Sequence, residues 1–137
     1  MARDTTIEVR GVDHIGIRVK DLTTALRFYG ILGFDLVAQS SNDDWAIIRN
    51  REGVEINLIF NSNNANEGRN ILMDVPDKYP GYTHVALAVA SVKATVAALD
   101  RHGIKLSGGP VELGGEGKIS VFVRDPDRNV IELRGRD

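Results

Sequence analysis

From Val12 to Val19 apolar and polar residues largely alternate (Val-Asp-His-Ile-Gly-Ile-Arg-Val), the period-two pattern of a half-buried strand. Asp21 then offers a helix N-cap, the apolar positions of Leu22 to Leu32 follow helical spacing, and Gly33 supplies a stop. The same plan returns later: Tyr82 to Val89 reads as a strand, Ser91 as an N-cap, Val92 to His102 as a helix and Gly103 as its stop. His14, Asp21 and Gly33 map onto His84, Ser91 and Gly103 with one constant offset of 70. Further on, Ile47 to Leu58 aligns without gaps with Phe122 to Leu133 at an offset of 75, which places five added residues near Gly114-Gly115-Glu116-Gly117. Both segments read as strand, tight turn, strand. The pattern predicts βαβββ twice, in a single domain spanning 1–137. Module 1 covers about 10–61 and module 2 about 82–134, with a connection over 62–81. Ser62 to Pro80 is Asn-rich and without apolar period, as expected of a lid, a binding loop or a plain linker.

Strand alternation sorts the side chains by face. Ile15, Ile17 and Val19 oppose His14, Gly16 and Arg18; Val85, Leu87 and Val89 oppose His84, Ala86 and Ala88. Ile56, Leu58 and Phe60 oppose Glu55, Asn57, Ile59 and Asn61, and Ile131 and Leu133 oppose Val130, Glu132 and Arg134. The apolar faces are expected to pack under the helices. The other faces mix small residues with metal-competent side chains and describe the wall of a cavity. His14 and His84 occupy repeat-equivalent positions there, and a pseudo-twofold would bring both toward one axis. With Glu132 they make a nitrogen–oxygen set suited to iron, zinc, nickel or manganese. Asn57 falls where Glu132 falls in the other half. His102, beside Gly103, suits dipole complementarity at a helix C-terminus.

Composition narrows the chemistry further. The 137 residues carry 17 basic and 19 acidic side chains, a formal net charge of −2, without the basic footprint of a nucleic-acid binder. No apolar run approaches the roughly 18–20 residues of a membrane span. The first residues lack the apolar core of a secretory signal, so a cytoplasmic location is expected. With no cysteine and three histidines, a metal would be held by His, Asp, Glu or amide groups.

The pattern Val12-Asp13-His14, Thr83-His84, Gly109-Pro110-Val111 and Asp125-Pro126-Asp127 followed by Ile131-Glu132-Leu133 resembles the vicinal oxygen chelate superfamily. That family includes glyoxalase I, methylmalonyl-CoA epimerase, extradiol dioxygenases, fosfomycin resistance proteins and bleomycin-binding proteins. The resemblance spans roughly residues 10–134. It implies an α+β fold in which two βαβββ modules form a cupped mixed sheet around one divalent metal ion. It also implies a homodimer, often with the site built between subunits. Within the family the resemblance is strongest to glyoxalase I, whose ligand positions fall on His14, Asn57, His84 and Glu132. The glutathione contacts of that enzyme fall on Arg18 and Asn61. A guanidinium fork grips carboxylates, and an amide can orient a peptide-like substrate. Two departures stand out. Asn57 replaces a Glu ligand, and Glu55 could substitute only with a register shift that misplaces Asn61. Arg128 replaces the Gly of Asp-Pro-Asp-Gly, and Asn129 is expected to take up the positive φ of that turn.

The expected activity is that of a glyoxalase-type lyase or isomerase dependent on Ni, Zn, Mn or Fe. Its substrate would be a small molecule with vicinal carbonyl or hydroxyl oxygens, with glutathione or another thiol as co-substrate. Glu132 or Glu55 would carry the proton next to the carbonyl. Trp45 and Tyr82, with Phe60, Tyr79 and Phe122, are candidates to line a pocket or dimer interface; taken singly, ordinary packing is the better account of each, and Phe60 lies on the apolar face. One alternative is an extradiol-type dioxygenase or fosfomycin-type transferase using the His-His-Glu set, although the dioxygenases' extra acid–base histidine has no counterpart, since His102 lies on a helix. Another is a drug-binding resistance protein without chemistry, in which the ligand positions are typically lost. Neither nucleic acid nor membrane is an expected partner.

Overall fold

The structure, a computed structural model, describes residues 6–137; the first five residues of the segment read for a secretory signal lie outside them. The chain folds as β1 (Ile15–Arg18), α1 (Leu22–Ile31), β2 (Asp35–Gln39), β3 (Trp45–Arg49) and β4 (Glu55–Ile59). It then repeats as β5 (His84–Ala88), α2 (Val92–Arg101), β6 (Gly108–Glu112), β7 (Ile119–Arg124) and β8 (Val130–Gly135). Two four-stranded sheets result, ordered β1-β4-β3-β2 and β5-β8-β7-β6. In each, the first strand runs parallel to the last and the remaining pairs are antiparallel.

Both helices start where the caps predict. The Asp21 carboxylate accepts from the Thr24 amide at 2.8 Å and the Ser91 hydroxyl oxygen from the Ala94 amide at 3.0 Å. Leu32 and the exposed His102 serve as C-caps, and Gly33 and Gly103 take φ of 94° and 71°, which glycine alone adopts freely. The first strand is shorter than its alternation predicts. Its ladder with β4 begins at the Ile15–Ile56 pair, so residues 12–14 lie outside it.

The expected apolar faces form the core. Ile17, Val19, Ile48, Ile56 and Leu58 of the first half join Val121, Val123, Ile131 and Leu133 of the second in one buried cluster with both helices. A polar clip joins the halves as well. Tyr29 Oη donates to Asp125 Oδ2 at 2.7 Å, the Lys20 amide to Asp127 Oδ1 at 3.2 Å, and Asn129 Nδ2 to the Arg18 carbonyl at 3.1 Å. Burial, with Asp125 beside it, pushes the Tyr29 hydroxyl far above the usual phenol range.

This clip corrects one expectation. Arg128, not Asn129, takes the positive φ, at 65°. Asn129 is held by Asp125, which accepts from its backbone amide and its Nδ2, both at 2.9 Å. The strain therefore passes to Arg128, whose guanidinium is held by Asp74.

The connection over 62–80 forms turns but no regular element. Asp74 ties it to the β7–β8 turn, accepting from Arg128 Nε at 2.7 Å, from both Arg124 Nη atoms at 3.1–3.2 Å and from the Asn70 amide at 3.0 Å. The Arg128 guanidinium foremost, then the Asn70 amide and Arg124, hold the Asp74 carboxyl well below the usual carboxylate range against the opposing pull of burial. A carboxyl depressed in the folded state stabilises above its unfolded pKa, about 4, and ceases to do so as pH falls through the lower folded value. The gap in urea midpoint between the wild-type chain and Asp74→Asn is therefore expected to be full near neutrality. It should narrow as pH drops below about 4. A gap that stays constant down to strongly acid pH would refute the tether.

Candidate metal centre

The two halves present parallel constellations on their polar faces. In the second, His84 opens β5 and Glu132 sits on β8, where the register sets it opposite Ala86. His84 Nε2 lies 3.1 Å from Glu132 Oε1. Glu132 is only 8% exposed, and its Oε2 accepts from Ser120 Oγ at 2.7 Å. Ser120 Oγ in turn accepts from Arg134 Nη1 at 3.2 Å, so the carboxylate is held by a chain of donors. Phe122 lies edge-on to the His84 ring, with centroids 6.3 Å apart. His84 Nδ1 is 2.9 Å from Thr83 Oγ1.

In the first half, His14 directly precedes β1 and Asn57 sits on β4 opposite Gly16, as Glu132 sits opposite Ala86. Asn57 Oδ1 is buried and has no hydrogen-bond partner, a condition shared by no other side-chain nitrogen or oxygen atom among the described residues. Such an acceptor costs about 1–3 kcal/mol relative to a satisfied one. His14 Nδ1 is 2.7 Å from Asp13 Oδ1, and the ligand atoms of Asp13, His14 and Glu55 lie within 4.8 Å of one another. Glu55 Oε1 accepts from Arg49 Nη2 at 2.6 Å. A Cβ added to Gly16 would meet nothing within 4 Å, so this wall opens onto free space.

The predicted ligands thus fall on the predicted faces, but in two half-sites. Among the described residues of one chain, Asp13, His14 and Glu55 form such a cluster; His14, His84 and Glu132 do not meet in one. Arg18 Nε donates to Asn61 Oδ1 at 3.0 Å, which joins the two expected glutathione contacts; the Arg18 Nη atoms have no hydrogen-bond partner among the described residues. Trp45 is 37% exposed at the edge of β3, and Tyr82 is 95% exposed just before β5. Phe60 packs against the core, and Tyr79 is exposed. Spacing alone did not single out Ser120, Asp13 or Thr83. Asp13 and Thr83 do share the offset of 70, which marks them once the histidines are found.

The donors present (two imidazoles, a buried carboxylate and an orphaned amide oxygen) fit a divalent metal of nitrogen–oxygen preference. The orphaned oxygen is the feature the fold itself leaves unexplained. Paired βαβββ modules, each with a histidine on its polar face, define the class of fold. The chain belongs to the Glyoxalase/Bleomycin resistance protein/Dioxygenase superfamily, whose family model matches residues 11–133. It is 30% identical over 129 residues to the Virulence protein STM3117 of Salmonella typhimurium, covering 89% of this chain and 81% of that one. It is also 30% identical over 130 residues to a Lactoylglutathione lyase of Haemophilus influenzae, covering 88% of each. Among solved structures, a glyoxalase/dioxygenase from Nostoc punctiforme superposes with a TM-score of 0.72 at 20% identity, covering 99% of both chains. No helix among the described residues is long and apolar enough to cross a membrane.

Proposed function

We propose that the chain is a divalent-metal-dependent lyase or isomerase of glyoxalase type. Its substrate is a small molecule with adjacent carbonyl and hydroxyl oxygens, and its working form is a cytoplasmic homodimer. The observation that carries this reading is the buried Asn57 Oδ1 without a partner, at the position repeat-equivalent to Glu132. A cation held by His14, His84, Glu132 and Asn57 completes that oxygen's coordination. Because each module carries half of the set, His14 and Asn57 of one copy meet His84 and Glu132 of the other.

When bound, the ion supplies Lewis-acid polarisation of two neighbouring substrate oxygens. The protein supplies the rest. Glu132 Oε1, on the side facing His84, takes the proton next to the substrate carbonyl and returns it to the adjacent carbon, while Ser120 fixes Oε2. Glu55 is held against Arg49 beside His14, so Glu132 is the better proton carrier. The Arg18 Nη atoms grip a carboxylate such as that of glutathione, and Asn61 fixes the guanidinium plane. The likeness to a lactoylglutathione lyase at 30% identity supports this substrate class.

A second reading is favoured by Asn57 itself. A neutral amide leaves three strong ligands, the set of ring-cleaving dioxygenases and fosfomycin-type transferases. Retention of His14, His84 and Glu132 argues against a drug-binding protein without chemistry. Elemental analysis of protein purified without chelator, followed by assay on the methylglyoxal–glutathione hemithioacetal, tests the proposal. Stoichiometric metal with loss of the hemithioacetal is the expected result. Absence of any metal affinity overturns both enzyme readings, and iron with oxygen uptake on catechols selects the second.

A further inference from the structure

Each candidate histidine is gripped at Nδ1 by the residue before it, and the two grips differ in kind. We propose that Asp13 and Thr83 are paired positioning residues that set the ring tautomers of His14 and His84. On this basis His14 is the fixed ligand and His84 the exchangeable one. The inference rests on the metal reading above for its use, but the tautomers can be read without metal.

Asp13 and Thr83 stand 70 residues apart, the offset of the histidines themselves. Side chains one residue apart on a strand point to opposite faces, and cannot meet there. The contacts form because both pairs lie at the threshold of a ladder: β1 begins at Ile15, after His14, and β5 begins with His84. Asp13 Oδ1 is 2.7 Å from His14 Nδ1, and Thr83 Oγ1 is 2.9 Å from His84 Nδ1.

The donor inventory decides what each contact permits. A carboxylate only accepts, so Asp13 requires the proton on His14 Nδ1 and leaves the Nε2 lone pair free for a cation. Glu55, the other carboxylate at this ring, is drawn toward Arg49. A hydroxyl both donates and accepts, so Thr83 tolerates either tautomer of His84. With Glu132 ionised, the 3.1 Å contact places a proton on His84 Nε2, donated to Glu132 Oε1, while Thr83 donates to Nδ1. To become a ligand, His84 must release the Nε2 proton to water and take one from water at Nδ1. The Thr83 hydroxyl then turns from donor to acceptor, and the ring's net protonation is unchanged. Asp13 cannot make that turn, and its side chain is 91% exposed, so its substitution leaves the core untouched.

Long-range proton–nitrogen NMR of the metal-free chain, above the usual imidazole titration range of about 6.5, reads both rings directly. His14 is expected in the Nδ1–H form and His84 in the Nε2–H form. Asp13→Ala should release His14 from its single tautomer and weaken Zn²⁺ affinity by about 10–100-fold, as loss of an outer-shell partner does. Asp13→Asn, whose amide oxygen still accepts from Nδ1–H, should keep most of both. Thr83→Ser should match the wild-type chain, and Thr83→Val should weaken Zn²⁺ binding. The proposal is overturned if the His14 tautomer is the same in Asp13→Ala. It is also overturned if that variant binds Zn²⁺ like the wild type, or if Asp13→Asn loses as much affinity as Asp13→Ala, which would make Asp13 a direct ligand. Correct tautomers without any metal affinity would instead refute the metal reading and leave the locking of His14 standing.

Discussion

Asp125→Ala is expected to lower the thermal midpoint of the chain by roughly 10–20 °C, a drop well beyond that of an ordinary surface substitution. Asp125 is 3% exposed and accepts four hydrogen bonds, from Tyr29 Oη at 2.7 Å and from the Asp127 amide, the Asn129 amide and Asn129 Nδ2 at 2.9 Å each. Its removal strands the fully buried Tyr29 hydroxyl and loosens the turn that grips the Arg18 carbonyl. Breaking a buried charged network from one side costs about 3–5 kcal/mol. For a chain between the size classes usually tabulated, each kcal/mol moves the midpoint by roughly 3–5 °C. Tyr29→Phe removes the donor but keeps the edge-on contacts with Phe28 and Phe34, so about 1 kcal/mol is expected there. The two effects should not add, because they share one bond. Calorimetry of both single variants and the double variant checks this. A shift of only a degree or two for Asp125→Ala would mean that the clip does not couple the halves.

The repeat that makes this clip possible was plain in the sequence, whereas the clip was not. Alternation and capping are local, so His14 to Gly33 and His84 to Gly103 declare two copies of one plan, and the strands follow within a few residues. Asp125-Pro126-Asp127 read as a turn and as part of a family motif, with no partner for its carboxylates. Its carboxylate meets Tyr29 across 96 positions, and no spacing rule links them. The same holds for Asp74 with Arg124 and Arg128, which convert a featureless connection into a tethered strap. The hold of Asp125 on Asn129 likewise leaves to Arg128 the positive φ expected of Asn129. At the site, periodicity gave the face of each candidate ligand but not what stands opposite that face. His14 and His84 each found partners in their own half, and the union of the halves is a question about assembly that alternation does not address. Asp13 and Thr83 were hidden for a related reason: alternation assigns them to the opposite face, and only the late start of each ladder turns them back.

His84→Ala separates the possible assemblies by its behaviour in mixtures as well as alone. Alone, it is expected to reduce divalent-metal affinity at least 100-fold, more than the roughly 10–100-fold that outer-shell partners command. The side chain is 37% exposed, so the fold should survive, whereas His102→Ala, an exposed C-cap on α2, should bind metal like the wild type. His14→Ala should match the loss. Now let the two inactive variants exchange subunits in equal amounts. If each site joins His14 of one copy to His84 of the other, a mixed dimer holds one doubly crippled site and one intact site. Half of the dimers are mixed, so about a quarter of the wild-type metal sites should return. If each site forms within a single chain, every chain carries one lesion and nothing returns. Titration of the mixture with Zn²⁺, with each variant alone as reference, gives the answer directly: recovery supports the shared site, and no recovery despite demonstrated exchange removes the cross-copy arrangement while leaving the ligand assignment intact.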